Sequence, residues 1–206
     1  MLAEHTLVDA WLRGVAFDLD EALALMYADV FERGYYDAFL AGEQPDAPAF
    51  EIDMTDACAA CARLARAQGR EKMAARFEAA AKQWPLVFER ETGLVRRAER
   101  FYEGTNWNYS FRLMHDMPGR VALAGGKERF ASLLDLFFGF EMAGREASFE
   151  GFNNETDMEA PYAYHYCDRH DRICEVVHAG FEFMFTTGRG GVPGNADSGG
   201  LTGCYV

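Results

Sequence analysis

Thr55-Asp56-Ala57-Cys58-Ala59-Ala60-Cys61-Ala62-Arg63-Leu64-Ala65-Arg66-Ala67-Gln68-Gly69 is the stretch that decides the fold class. Alanine is the strongest helix former, and nothing interrupts the run before Gln68-Gly69. Thr55 is a candidate N-cap for a helix over 56–68, which Gln68-Gly69 ends. A second arm runs from about Arg70 to Glu91 through Met73, Phe77, Ala80, Ala81, Trp84 and Phe88. Pro85 lies inside that arm and is expected to kink it or mark its boundary. The two arms make a helical hairpin. Cys58 and Cys61 form a C-x-x-C within it. Without a second pair they read as small buried helix residues and not as zinc ligands.

The same pattern extends in both directions. Upstream, a helix ends near Arg13 and Gly14 breaks it. Asp18 or Asp20 is placed to cap a helix over about Glu21 to Arg33, which Gly34 ends. Tyr35 to Phe50 contains Gly42, Pro45 and Pro48 and reads as a loop. Downstream, helices are expected over about Trp107 to Asp116, Lys127 to Phe138 and Arg169 to Thr187, with a short aromatic one around Pro161 to Tyr166. Pro118-Gly119 reads as a break, Val121 to Leu123 as an apolar turn, and Glu141 to Gly151 as a loop. A glycine-rich segment, Gly188 to Gly200, opens one more helix. No stretch alternates cleanly as a strand would. Helical hairpins joined by long glycine-rich loops imply an all-α fold of the (α/α)6-toroid-like kind. This is a helical-hairpin barrel with its site in the loops at one end. Residues 1–206 read as a single, partial barrel domain. The apolar ending, Leu201 to Val206, is expected to continue in the natural polypeptide.

Composition narrows the function. The chain has 206 residues and a net charge of −13, with no basic run to neutralise a phosphate backbone, so nucleic acid is not an expected partner. No apolar run approaches the roughly 20 residues that span a bilayer. Met1 to His5 shows neither a basic n-region nor an apolar h-region, so no signal peptide is expected in this chain. Five cysteines, an odd number, do not make a disulfide framework.

Three loop carboxylates carry the chemistry: Glu103, Glu155 and Asp197. Glu103 lies in Phe101-Tyr102-Glu103-Gly104-Thr105-Asn106-Trp107-Asn108-Tyr109, which sets an acid among amides and aromatic rings. Such a mixture suits a sugar: ring faces for its C–H side, amides for its hydroxyls, an acid for the glycosidic oxygen. The other two lie in Asn153-Asn154-Glu155-Thr156-Asp157 and in Gly194-Asn195-Ala196-Asp197-Ser198-Gly199. Any one carboxylate is more often a solvated surface group. Three in loops expected at one barrel mouth favour a site. A scatter beyond roughly 15 Å would reduce them to surface acids, because one sugar cannot span it.

Taken together, Tyr102-Glu103-Gly104-x-x-Trp107-x-Tyr109, His115-Asp116, Gly125-Gly126, Asn154-Glu155 with Pro161-Tyr162-x-Tyr164-x-Tyr166, and Gly194-Asn195-x-Asp197-x-Gly199 resemble the motifs of glycoside hydrolase family 92, in that family's order. Thr156, Met114 and Gly200 depart from its pattern. The resemblance implies a calcium-dependent, exo-acting, inverting α-mannosidase. It also implies an N-terminal β-sandwich, absent here, before an (α/α)6 barrel whose last helices are absent too. Carried over residue by residue, it implies Glu103 as general acid and Asp197 as general base. Trp107, His115 and Asn195 would contact substrate, and Asn154 and Glu155 would lie in the calcium-binding segment. The expected partner is a mannose-containing glycan, with no membrane partner. A β-sandwich or a second copy would complete the pocket. The family resemblance implies a secreted, periplasmic or cell-surface location. The alternative is a non-catalytic carbohydrate-binding or interaction remnant of the same fold.

Overall fold

The computed structural model describes residues 2–43, 47–140, 154–194 and 197–206. Among them every regular element is helical, which bears out the all-α class. The chain forms two compact units, residues 1–88 with 96–101 and residues 89–95 with 102–206.

The first unit contains α1 (Leu2–Leu12), α2 (Leu19–Phe31), α3 (Tyr35–Ala41), α4 (Pro48–Ala67) and α5 (Glu71–Ala81), followed by a 3-10 turn at Trp84–Val87. The expected hairpin is α4 and α5, turned at Gly69, whose φ of +68° suits a residue without a side chain. Ala57, Cys61, Ala65, Ala74 and Ala80 are buried, and these small side chains allow the helices to approach closely. Cys58 is also buried, and burial pushes its thiol up to about 12. It is therefore an inert packing residue. Asp18 caps α2, its Oδ1 accepting from Glu21 N at 2.9 Å.

Three sequence expectations fail in this unit, each for a physical reason. First, α4 starts at Pro48, whose fixed φ and missing N–H suit a first helical turn. Thr55 is therefore buried inside the helix, and its hydroxyl donates back to Glu51 O and Ile52 O at 2.9 and 3.0 Å. Second, the expected loop from Tyr35 to Phe50 contains α3, framed by Gly34 and Gly42. Aromatic packing holds it: Tyr36 meets Phe31, Tyr35 meets Phe50, each pair with ring centroids 5.3 Å apart. Third, the second arm, read as far as Glu91, stops at Ala81, because Pro85 marks a boundary as expected and falls in the first turn of a separate 3-10 segment.

The second unit contains α6 (Asn106–Ser110), α7 (Met117–Leu123), α8 (Lys127–Phe137), α9 (Glu155–Met158), a 3-10 turn at Ala160–Cys167, α10 (His170–Phe183), a 3-10 turn at Asp197–Gly199 and α11 (Gly200–Tyr205). Its core is a chain of rings: Phe130 and Phe137 both meet Phe111, Phe138 meets Phe137, and Tyr164 meets Phe138, with centroids 4.9–6.1 Å apart. Arg120 is fully buried among them, its guanidinium 5.0 Å from the Phe130 ring centre. It donates to Gly93 O at 2.6 Å and Ser110 O at 3.1 Å, while Ser110 Oγ accepts from Val95 N at 2.8 Å. One buried cation thus ties the 89–95 segment, the end of α6 and α7 together. Here too the sequence reading shifts. Pro118-Gly119 opens α7 where a break was expected, because Asp116 caps it by accepting from Gly119 N at 2.9 Å. Val121 to Leu123 is helix, and α6 ends at Ser110, well short of Asp116. The expected loop over Glu141 to Gly151 lies outside the described residues.

Glu51 in α4 is only 1% exposed and pairs with Arg96. Burial pushes its carboxyl up, and the hydrogen bond and charge of Arg96 pull it back. Arg96→Met should cost about 3–5 kcal/mol by leaving Glu51 uncompensated. With the folded-state pKa raised above the unfolded one, stability is lost as pH rises through the folded value, so the deficit should grow from acid to neutral pH. Urea unfolding across that range checks it, and a deficit independent of pH would show that Glu51 does not carry the effect.

Candidate active site

The site is built on the second unit, and its first part is the turn before α6. Thr105 caps α6, its Oγ1 accepting from Trp107 N at 3.2 Å. Asn108 completes a capping box: its Oδ1 accepts from Thr105 N and Thr105 Oγ1, each at 2.9 Å. Gly104 suits this turn, since a Cβ there would crowd Asn108, lying 3.2 Å from its Oδ1. Tyr109 donates its hydroxyl to Tyr102 O at 2.6 Å, folding the chain back over α6. Between these ties Glu103 is held at φ +50°, a left-handed backbone that only small or locally bonded residues adopt readily.

The second part is the start of α9. Asn154, buried, caps it by accepting from Glu155 N at 2.7 Å through Oδ1. Its Nδ2 donates to Glu103 O at 2.9 Å and Glu103 Oε2 at 3.0 Å. A parallel tie lies one turn on, where Asn108 Nδ2 donates at 2.9 Å to the fully buried Asp157. The third part is the turn leading into α11. Asp197 N donates to Glu155 Oε1 at 3.1 Å.

These ties bring Glu103, Glu155 and Asp197 together: one carboxylate oxygen from each lies within 4.8 Å of the others. Glu103 and Asp197 are exposed and Glu155 is half-buried. The local field is negative. It pushes the Tyr102 phenol up, chiefly through the charge of Glu103, then through its hydrogen bond to Glu103, with smaller contributions from Asp197 and Glu155. Carboxylates so close repel one another, and a hard divalent cation would offset that repulsion. An all-oxygen donor set open to solvent, where water can complete the shell, fits calcium better than a thiophilic metal.

The other expected site residues are placed less tightly. Trp107 is half-buried and lines a groove of about 440 Å³ with Thr105, Asn108, Leu136 and Phe137. His115 is exposed, one residue before the cap of α7. Asn195 lies outside the described residues. The motif reading does not single out Asn108, although the Thr105-x-x-Asn108 spacing is a readable capping signal.

The model of the glycosyl hydrolase family 92 catalytic domain matches residues 2–206. A protein described as an uncharacterized secreted glycosidase, from Arthroderma benhamiae, is 29% identical over 108 residues, which is 52% of this chain and 13% of that protein. A solved family GH92 inverting mannosidase from Bacteroides thetaiotaomicron aligns with 97% of this chain at a TM-score of 0.74 and 20% identity. That likeness is one of fold, and it supports the helical barrel expected from the hairpins. This chain spans 34% of the length of that mannosidase.

Asn108→Ala removes a donor from buried Asp157 and half of the capping box. It should destabilise by about 1–3 kcal/mol, more than Gly104→Ala, whose Cβ only crowds Asn108 and should cost about 1 kcal/mol. Chemical denaturation of both variants checks the order, and the reverse ranking would show that the Asp157 tie is dispensable.

Proposed function

Because the chain belongs to glycosyl hydrolase family 92, we propose that it carries the catalytic carboxylates of a calcium-dependent, exo-acting, inverting α-mannosidase. The observation that supports this most is the convergence of Glu103, Glu155 and Asp197 from three separate segments. Three carboxylates held together by separate backbone and amide ties repel one another, and a bound cation or a shared substrate would offset that repulsion.

In this reading Glu103 is the general acid and donates a proton to the glycosidic oxygen as the bond to the anomeric carbon breaks. Asp197 is the general base and takes a proton from the water that attacks the opposite face, which inverts the anomeric centre. An inverting pair needs roughly 6.5–9.5 Å between its carboxyls to seat the sugar and that water. One oxygen of each carboxylate lies within 4.8 Å of the others, and rotation of either side chain opens the pair further as the sugar enters. Both side chains are exposed. Trp107 offers a ring to the C–H face of the substrate, and His115 and Asn195 complete the substrate contacts. Glu155, in the segment that Asn154 opens, would hold calcium, which would supply positive charge beside Glu155 and a Lewis acid for the hydroxyls of mannose. The natural substrate is an α-linked mannoside on a glycan outside the cytoplasm, and a β-sandwich partner or a second copy completes the pocket.

Mannose release from α-linked mannobiosides, with calcium and then with a chelator, tests the proposal. Calcium-dependent release with inversion is expected, and Glu103→Gln and Asp197→Asn should each lower it by roughly 10²–10⁴-fold. Release that survives the chelator would remove calcium from the reading, and an active Glu103→Gln would remove Glu103 as the acid. Absence of release in both conditions would favour the non-catalytic carbohydrate-binding remnant.

A further inference from the structure

We infer that Asn154 is a positioning residue for Glu103, setting both its backbone conformation and the direction of its carboxyl group. The inference rests on the mannosidase reading for its consequence in turnover, and on geometry alone for its structural part. Asn154 is 8% exposed, and its amide makes three bonds to the two segments that carry Glu103 and Glu155. The orientation of that amide follows from chemistry. Glu155 N–H requires an acceptor, so Oδ1 faces it, and the two Glu103 oxygens require donors, so Nδ2 faces them. Both amide hydrogens are thereby committed to Glu103.

The consequences for Glu103 are specific. The bond to its carbonyl supports a backbone at φ +50°, which a glutamate would otherwise leave. The bond to Oε2 occupies one carboxyl oxygen. Placement of this kind matters most where a proton must be delivered along one line, because a misplacement of about 1 Å can cost roughly 100-fold. Only an amide of this length satisfies the whole arrangement. Aspartate keeps the acceptor for Glu155 N–H but sets a charged oxygen against both Glu103 oxygens.

Asn154→Asp is therefore the discriminating variant, since it retains the cap of α9 and inverts the interaction with Glu103, while saturating calcium offsets the charge it adds beside Glu155. With calcium present, kcat is compared on a mannobioside, whose leaving group must be protonated, and on 2,4-dinitrophenyl α-mannoside, whose leaving group need not be. The expected result is a loss of roughly 100-fold on the mannobioside and under about fivefold on the dinitrophenyl substrate, with KM little changed. Equal losses on both substrates would overturn the positioning role. Crystal structures of the parent chain and the variant decide the structural part. Glu103 is expected to leave the left-handed region and swing away from Asn154, and an unmoved Glu103 would overturn the inference. If the parent chain cleaves neither substrate, the mannosidase reading falls, while the two structures still settle whether Asn154 sets Glu103.

Discussion

The site depends on one side-chain amide. Asn154 joins segments 51 residues apart in sequence, with its oxygen toward one acid's backbone and its nitrogen toward another acid's carbonyl and carboxylate. Without that bond the carbonyl of Glu103, on a left-handed turn, would lose the Asn154 donor. With it, Glu103 has a defined place beside Glu155, and Asp197 reaches the same point through its own N–H. The Asn108–Asp157 bond repeats the device one turn deeper, where full burial of Asp157 makes the loss of a donor costly. Neutral amides suit the task, because they can serve carboxylates on one side and N–H groups on the other without adding charge to an already negative cluster.

Beneath these ties lies a second constraint. Arg120 is buried among aromatic rings and donates to the carbonyls of Gly93 and Ser110. A buried guanidinium is expensive unless its donors are used. Its requirement fixes the end of α6 relative to the 89–95 segment, and α6 in turn carries the capping box that presents Glu103. Acid geometry at the surface is thus set by hydrogen-bonding demands in the core. In the first unit the hairpin α4–α5 rests on different physics, small side chains at close approach, with the Glu51–Arg96 pair as a charged contact to the 96–101 segment.

The functional reading draws on both levels. The motif set and the family match agree on a glycoside hydrolase, and the geometry adds the convergence that a sugar site requires. In the proposed mechanism the proton donor and the water-activating base take opposite faces of the sugar, and the exposure of both side chains leaves them room to open around it.

The sequence by itself determined the helical class, since alanine-rich and 3.6-periodic runs between glycines admit little else. It also singled out the three acids that the fold brings together, because each sits in a glycine- and asparagine-rich context foreign to a helix face. It did not determine where helices begin. Thr55 reads as a cap and Pro118-Gly119 as a break, yet Pro48 and Asp116 supply the real starts, and proline favours a first turn as strongly as it forbids an interior one. Nor could local pattern show that Tyr35–Ala41 is helical, since ring contacts with Phe31 and Phe50 hold it. Only the tertiary structure decided what Asn154 does. A side-chain amide looks the same in sequence whether it binds a cation, caps a helix or aims an acid. Its role is fixed by which donors and acceptors the fold brings within about 3 Å of it.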